Sequence, residues 1–185
     1  MVFVLDRPRS APTRRESRHE RRRLAELDRL GARLGDLARI RAVVAGAGEV
    51  VASGWLQRAW FACPGPRGGE RLVTPQRLAG RPVTGACLVG AVVQAGGGPG
   101  GADAQPVARA LDLLWHALHR DPDEPVRWCP GPPVRAQHVR DLTAWNDAPG
   151  RTAADVARLL TTADAIAATE ADRARRARTA LAGGS

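Results

Sequence analysis

The chain contains no lysine and no tyrosine, and all 28 of its basic residues are arginine. Aromatic residues make up only 4% of it. A β-sandwich draws on more Val, Ile, Thr and Tyr than this sequence offers. Apolar residues reach 44%, but alanine supplies much of that share. Alanine brings helix propensity with little buried area, so packed helices are expected. Three cysteines, Cys63, Cys87 and Cys129, form an odd set with no Cys-x-x-Cys pair. This argues against a disulfide framework and for a reducing compartment. The apolar start Met1–Leu5 meets Asp6 and Arg7 at once, too soon for the core of a signal peptide. No apolar run approaches the length of a membrane span. The expectation is a soluble, cytoplasmic protein with no membrane partner. Gly96–Gly101 follows a helix rather than a strand and has no lysine, so it is not a phosphate loop. No cofactor is expected.

What is present is length and charge. At 185 residues the chain suits one domain with tails. Its net charge of +9 attracts polyanions and acidic surfaces. The charge is concentrated at the start: residues 1–23 form a basic arm with Arg14, Arg15, Arg18, Arg21, Arg22 and Arg23. Thr13 has capping-box spacing to Glu16, which predicts a helix start. Leu24, Leu27, Leu30, Leu34, Leu37, Ile40 and Val44 then recur every three or four residues, as one face of a helix does. That face suits either a core or a seam between copies of the chain. Gly31 and Gly35 are candidate kinks.

A second short helical piece is expected to end at Ser53, with Gly54 as its C-terminal cap. Trp55–Ala62 and Arg71–Thr74, joined by the Pro/Gly-rich turn Cys63–Gly69, allow one small β-hairpin. A buried helix is expected over Gly85–Ala95 behind Thr84, another from Pro106 to His119, and a third over Val134–Trp145. Thr152 opens the last helix. The fold class is therefore mainly α: a single-domain bundle of five or six helices over residues 24–170, followed by an arginine/alanine-rich tail, 171–185.

Four features carry candidate chemistry. Trp145-Asn146-Asp147-Ala148-Pro149-Gly150-Arg151-Thr152 reads as a helix-to-helix corner with an anchoring Trp, an Asx turn and a cap. Its Asn146, Asp147 and Arg151 form a binding cluster if the fold leaves them beside a pocket, and Arg151 is spaced to pair with Asp147. Cys87 begins an apolar helix, where the helix field lowers a thiol pKa; with His138 as base it is a candidate nucleophile for a hydrolase or transferase. Against this, a Cys in a Leu-Val-Gly-Ala helix is ordinarily a small hydrophobe. His116-x-x-His119 has metal-sharing spacing, although its place at a helix end is explained by the favourable charge there. The Arg-rich arm suits phosphate contacts. A helix-turn-helix over Thr152–Ala171 is disfavoured, because the turn lacks glycine and the periodicity continues through it.

Three motifs in order, Gly54-Trp55, Cys87-Leu88-Val89-Gly90-Ala91 and Trp145-Asn146-Asp147 with Arg151-Thr152, resemble an uncharacterised family of short actinobacterial and phage proteins. The resemblance covers about Arg39 to Ala168 and implies a shared fold. The functional expectation from the residues is a non-enzymatic accessory or regulatory protein. It would bind nucleic acid or an acidic protein through the basic N-terminal segment. The alternatives are Cys87-centred catalysis and a homo-oligomer assembled through Leu24–Val44.

Overall fold

The apolar stripe that begins at Leu24 rides on one helix, α1 (Arg14–Ser53), which runs through Gly31 and Gly35 without a break. The computed structural model describes residues 14–78, 80–129 and 131–183; the Thr13 cap lies outside them. The elements that follow are β1 (Phe61–Pro64), β2 (Glu70–Val73), the single turn α2 (Pro75–Leu78), β3 (Gly85–Ala86), α3 (Leu88–Ala95), α4 (Gln105–His119), α5 (Pro132–Asn146) and α6 (Ala153–Gly183). A short 3-10 turn at Pro99–Gly101 precedes α4. The fold is mainly helical, as composition predicts, with six α-helices among the described residues.

Helices α1 and α6 pack side by side along the molecule. Their direction is antiparallel, because Arg33 pairs with Glu170 while Arg41, one stretch further along α1, pairs with Asp164. Arg41 grips both carboxylate oxygens of Asp164, at 2.7 and 2.9 Å. Leu30, Leu37, Ile40, Val44 and Ala47 of α1 are buried, while Leu24 stays exposed. From Leu30 onward the stripe is therefore covered by the chain itself, by α6, α3 and α4, rather than left open as a seam. Helix α3 is buried from Leu88 to Val93, which is why it carries no charge. Helix α5 packs on α4 and α3.

The expected hairpin forms, displaced along the chain. Trp55–Ala62 is not one strand: Trp55 makes an isolated bridge to Ala86, and β1 starts at Phe61. Strand order is β2-β1-β3, all antiparallel, with Phe61 opposite Val73 on one side and Ala86 on the other. The expected helix over Gly85–Ala95 starts only at Leu88, because Gly85 and Ala86 are taken up as β3. Two glycines allow this packing. A Cβ on Gly54 would lie 2.5 Å from the Thr84 carbonyl oxygen, and one on Gly90 would lie 2.5 Å from the Trp60 carbonyl oxygen. The exit of α1 and the first turn of α3 thus sit directly on backbone.

The sequence sets residues 1–23 and 171–185 apart from the bundle; one helix runs through Arg23 and another through Glu170. The basic arm from Arg14 is the first part of α1, and the tail to Gly183 is the last part of α6. Helix α6 also runs straight through Thr161–Ala163, so no helix-turn-helix is present there. Among the described residues no helix is long and apolar enough to cross a membrane.

Candidate functional site

The corner between α5 and α6 is built around Asn146, the last residue of α5 and almost fully buried. Its side-chain oxygen accepts from the Trp55 indole N–H at 2.9 Å and from the Leu88 backbone N–H at 3.1 Å. Its side-chain nitrogen donates to the Leu56 carbonyl at 3.0 Å and to Asp147 Oδ1 at 2.7 Å. A primary amide has two donors and two accepting lone pairs, so all four places are filled. Around it, Gln57 Nε2 donates to the carbonyls of Asn146 and Ala148, each at 3.0 Å. Asp147 Oδ1 also accepts from the Arg58 N–H at 2.8 Å. Arg58 holds φ of 58°, the single left-handed non-glycine among the described residues; the Asp147 bond fixes this otherwise unfavourable conformation.

Asn146, Asp147 and Arg151 thus each bond to partners within or beside the corner. Arg151 does not pair with Asp147. Its guanidinium lies 3.9 Å from the Trp145 ring centroid, over the ring, and its Nε donates to the Trp145 carbonyl at 3.1 Å. Trp145 is half-buried rather than sunk in the core, with Arg151 covering its outer face. Thr152 and Asp155 cap each other: Asp155 Oδ2 accepts from the Thr152 N–H at 2.9 Å, and Thr152 Oγ1 accepts from the Asp155 N–H at 3.2 Å.

Cys87 caps α3 from outside rather than sitting within its first turn, and its Sγ accepts from the Gly90 N–H at 3.3 Å. Burial pushes the thiol pKa up and outweighs the lowering by the backbone N–H groups, the reverse of the activation expected from position in the sequence. The structure records no hydrogen bond from Cys87 to an imidazole among the described residues. His138 is turned towards α4 instead.

There, His138 Nδ1 lies 3.1 Å from Asp112 Oδ1, and both side chains are buried. The Trp115 ring stacks on His138 with centroids 4.2 Å apart and planes 15° apart, and Trp115 Nε1 donates to Asp141 at 2.9 Å. Asp112 Oδ2 accepts from the Cys129 N–H at 3.3 Å and lies 3.5 Å from Arg135 Nη2. The Cys129 thiol donates to the Gly131 carbonyl at 2.9 Å. The metal-ligating atoms of Asp112, Cys129 and His138 all lie within 4.8 Å of one another. His116 and His119 do not belong to this group. His116 is buried, and burial holds its pKa below the ordinary value. His119 is exposed, with its ring 4.9 Å from that of Trp115.

The basic residues come together at one end of the molecule. The antiparallel register fixed by Arg33–Glu170 and Arg41–Asp164 carries the first turns of α1 past the last turns of α6. Arg18, Arg21 and Arg22 of α1 and Arg175, Arg176 and Arg178 of α6 are exposed there; Arg14 and Arg15 occupy the first turn of α1. Arg23 lies 3.3 Å from Glu20. Further along α1, a cavity of about 550 Å³ opens between α1, α4 and the chain before α5; Arg29, Arg39 and Arg109 stand around Ile40 and Trp128. Arg109 lies over the Trp128 ring, 4.9 Å from its centroid.

The model of the Family of unknown function (DUF6197) matches residues 36–166, from the middle of α1 to the middle of α6. The chain belongs to this family. The matched span contains Gly54-Trp55, the Cys87–Ala91 segment and the Asn146 corner, which the fold joins through one amide. It also contains Asp112, Cys129 and His138. The paired basic ends lie outside it. Comparison with curated proteins and with solved structures finds no match.

Proposed function

We propose that the protein is a non-enzymatic, cytoplasmic accessory or regulatory protein that binds nucleic acid through the paired basic ends of α1 and α6. The observation that supports the reading is the antiparallel pairing of two arginine-rich helix ends. Two segments from opposite ends of the sequence present one positive surface, and Arg18, Arg21, Arg22, Arg176 and Arg178 make no ion pair with any described residue. Guanidinium groups contact phosphates bidentately and stay charged at all relevant pH. Such a surface grips a phosphate backbone without reading sequence. The family membership is consistent with a wider set of actinobacterial and phage proteins that share the core and its three motifs. In this reading the nucleic-acid function is added by the two helix extensions.

The test uses the whole chain and a mixed-sequence duplex, titrated at several salt concentrations. Binding is expected to weaken with salt, with log K against log salt losing about 0.9 of slope for each phosphate contact removed. Neutralising Arg18, Arg21 and Arg22 to Gln, or Arg175, Arg176 and Arg178 to Gln, should each weaken binding and flatten the slope. Both sets must matter if one strand lies across both helices. Unaltered affinity in either triple variant defeats the reading. Binding of polyglutamate but not of duplex or single strand selects an acidic protein as the partner instead.

A further inference from the structure

The geometry points to a site for a borderline divalent cation of the zinc class, held by Asp112, Cys129 and His138. Three segments supply the three groups: α4, the chain between α4 and α5, and α5 itself. Their ligand atoms lie within 4.8 Å of one another, a spread that a metal with bonds of about 2.0–2.3 Å closes by small side-chain rotations. The donor set is one oxygen, one sulfur and one nitrogen. Mixed thiolate and imidazole donors select zinc-like ions over magnesium or calcium, which take oxygen alone.

The surroundings are arranged as a metal site requires. Asp112 Oδ2 is turned outward to the Cys129 N–H and to Arg135, while Oδ1 faces His138. The carboxylate is thereby oriented with one oxygen committed to supporting bonds and the other aimed at the cluster. Trp115, stacked on the His138 ring and tied to Asp141, fixes the plane of the imidazole. An Asp–His pair joining two helices is complete with two groups. The third, a buried thiol, is bonded only to a backbone carbonyl two residues on, and the pair does not need it.

The charges balance. On binding, the Cys129 thiol releases its proton to solvent and its sulfur takes the metal. The imidazole coordinates as the neutral base, and the carboxylate coordinates as the anion. Thiolate and carboxylate cancel the two positive charges of the ion, leaving Arg135 on the outer carboxylate oxygen. Three protein ligands leave a fourth position for water or an incoming ligand.

The test is titration of the chelator-stripped full chain with Co2+, followed by its absorption spectrum, and with Zn2+ against a chromophoric chelator. One ion per chain is expected, with a sulfur-to-cobalt charge-transfer band. The band should vanish in Cys129→Ser and persist in Cys63→Ala. Zn2+ affinity should fall at least about tenfold in His138→Gln and Asp112→Asn and stay unchanged when His119 is replaced by Gln. Asp112→Asn is nearly isosteric, so helix content by circular dichroism separates lost ligation from lost fold. No stoichiometric binding, binding without the band, or a band that survives Cys129→Ser each overturns the proposal.

Discussion

Asn146 bonds four partners with one side chain, and two of them, the Leu88 N–H and the Leu56 carbonyl, are backbone groups. Asn146→Ala leaves these groups and the Trp55 indole unpaired, and each buried unpaired group costs about 1–3 kcal/mol. The expected loss is about 3 kcal/mol of unfolding free energy, read as a lower urea midpoint at unchanged slope; a loss within error of zero would remove Asn146 from the centre of the corner. His116 carries a second residue-scale prediction. Burial depresses its pKa, Arg120 acts the same way, and the Asp121 backbone, Glu124 and Glu170 oppose them. The folded state then binds fewer protons than the unfolded state between the two pKa values, so stability is full above about pH 6.5, declines as pH falls below it, and levels off under the folded pKa. His116→Gln should flatten that decline below about pH 6.5, and an equal decline in the variant assigns it elsewhere.

At the scale of elements, the glycines of α1 and α3 separate by what surrounds them. A Cβ on Gly31 meets nothing within 4 Å, so Gly31→Ala should stabilise by about 0.5–1 kcal/mol through helix propensity. A Cβ on Gly90 would meet the Trp60 carbonyl at 2.5 Å and the Phe61 ring at 3.2 Å, so Gly90→Ala should destabilise by about 1–3 kcal/mol. Opposite shifts in melting temperature check the pair; shifts of the same sign would contradict this account. The same contrast explains which elements were legible. Helices α4, α5 and α6 are visible because three- and four-residue spacing specifies them, with Pro in the first turn of α4 and of α5 and the Thr152–Asp155 cap before α6. Strand β3 is not, because two residues carry no periodicity and Gly85–Ala86 become a strand only by pairing with Phe61 and Ala62 far back in the chain. Helix α1 stays unbroken at Gly31 and Gly35 because burial of Leu30, Leu37 and Ile40 outweighs two glycine penalties.

The whole molecule divides into a well-packed body and an exposed pair of helix ends. From Arg175 to Ala180 every residue of α6 is exposed, as is most of α1 before Leu30. Few buried contacts mean low local stability. Brief trypsin treatment should therefore cut first around Arg18–Arg23 and Arg175–Arg178 and leave a resistant fragment containing α3 and α4, identified by mass; first cuts at Arg109 or Arg135 would argue for a loose body. At this scale the sequence says little. The arm and tail are each plainly basic, yet their meeting depends on an antiparallel register set by Arg33, Arg41, Asp164 and Glu170. Asp112, Cys129 and His138 are equally hidden, since no diagnostic spacing links them and only the return of α5 onto α4 brings them together. The Asn146 corner was legible as a turn, but its partners at Trp55 and Leu88 lie far away in sequence and are found only through the fold.

Two hydrogens, from the Trp55 indole and the Leu88 amide, end on the single oxygen of Asn146. That geometry gives the protein a pair of built-in spectroscopic reporters. Both nuclei should resonate away from their free positions, and both signals should respond together whenever the α5–α6 corner opens. Joint movement of these two resonances would register the corner loosening in solution.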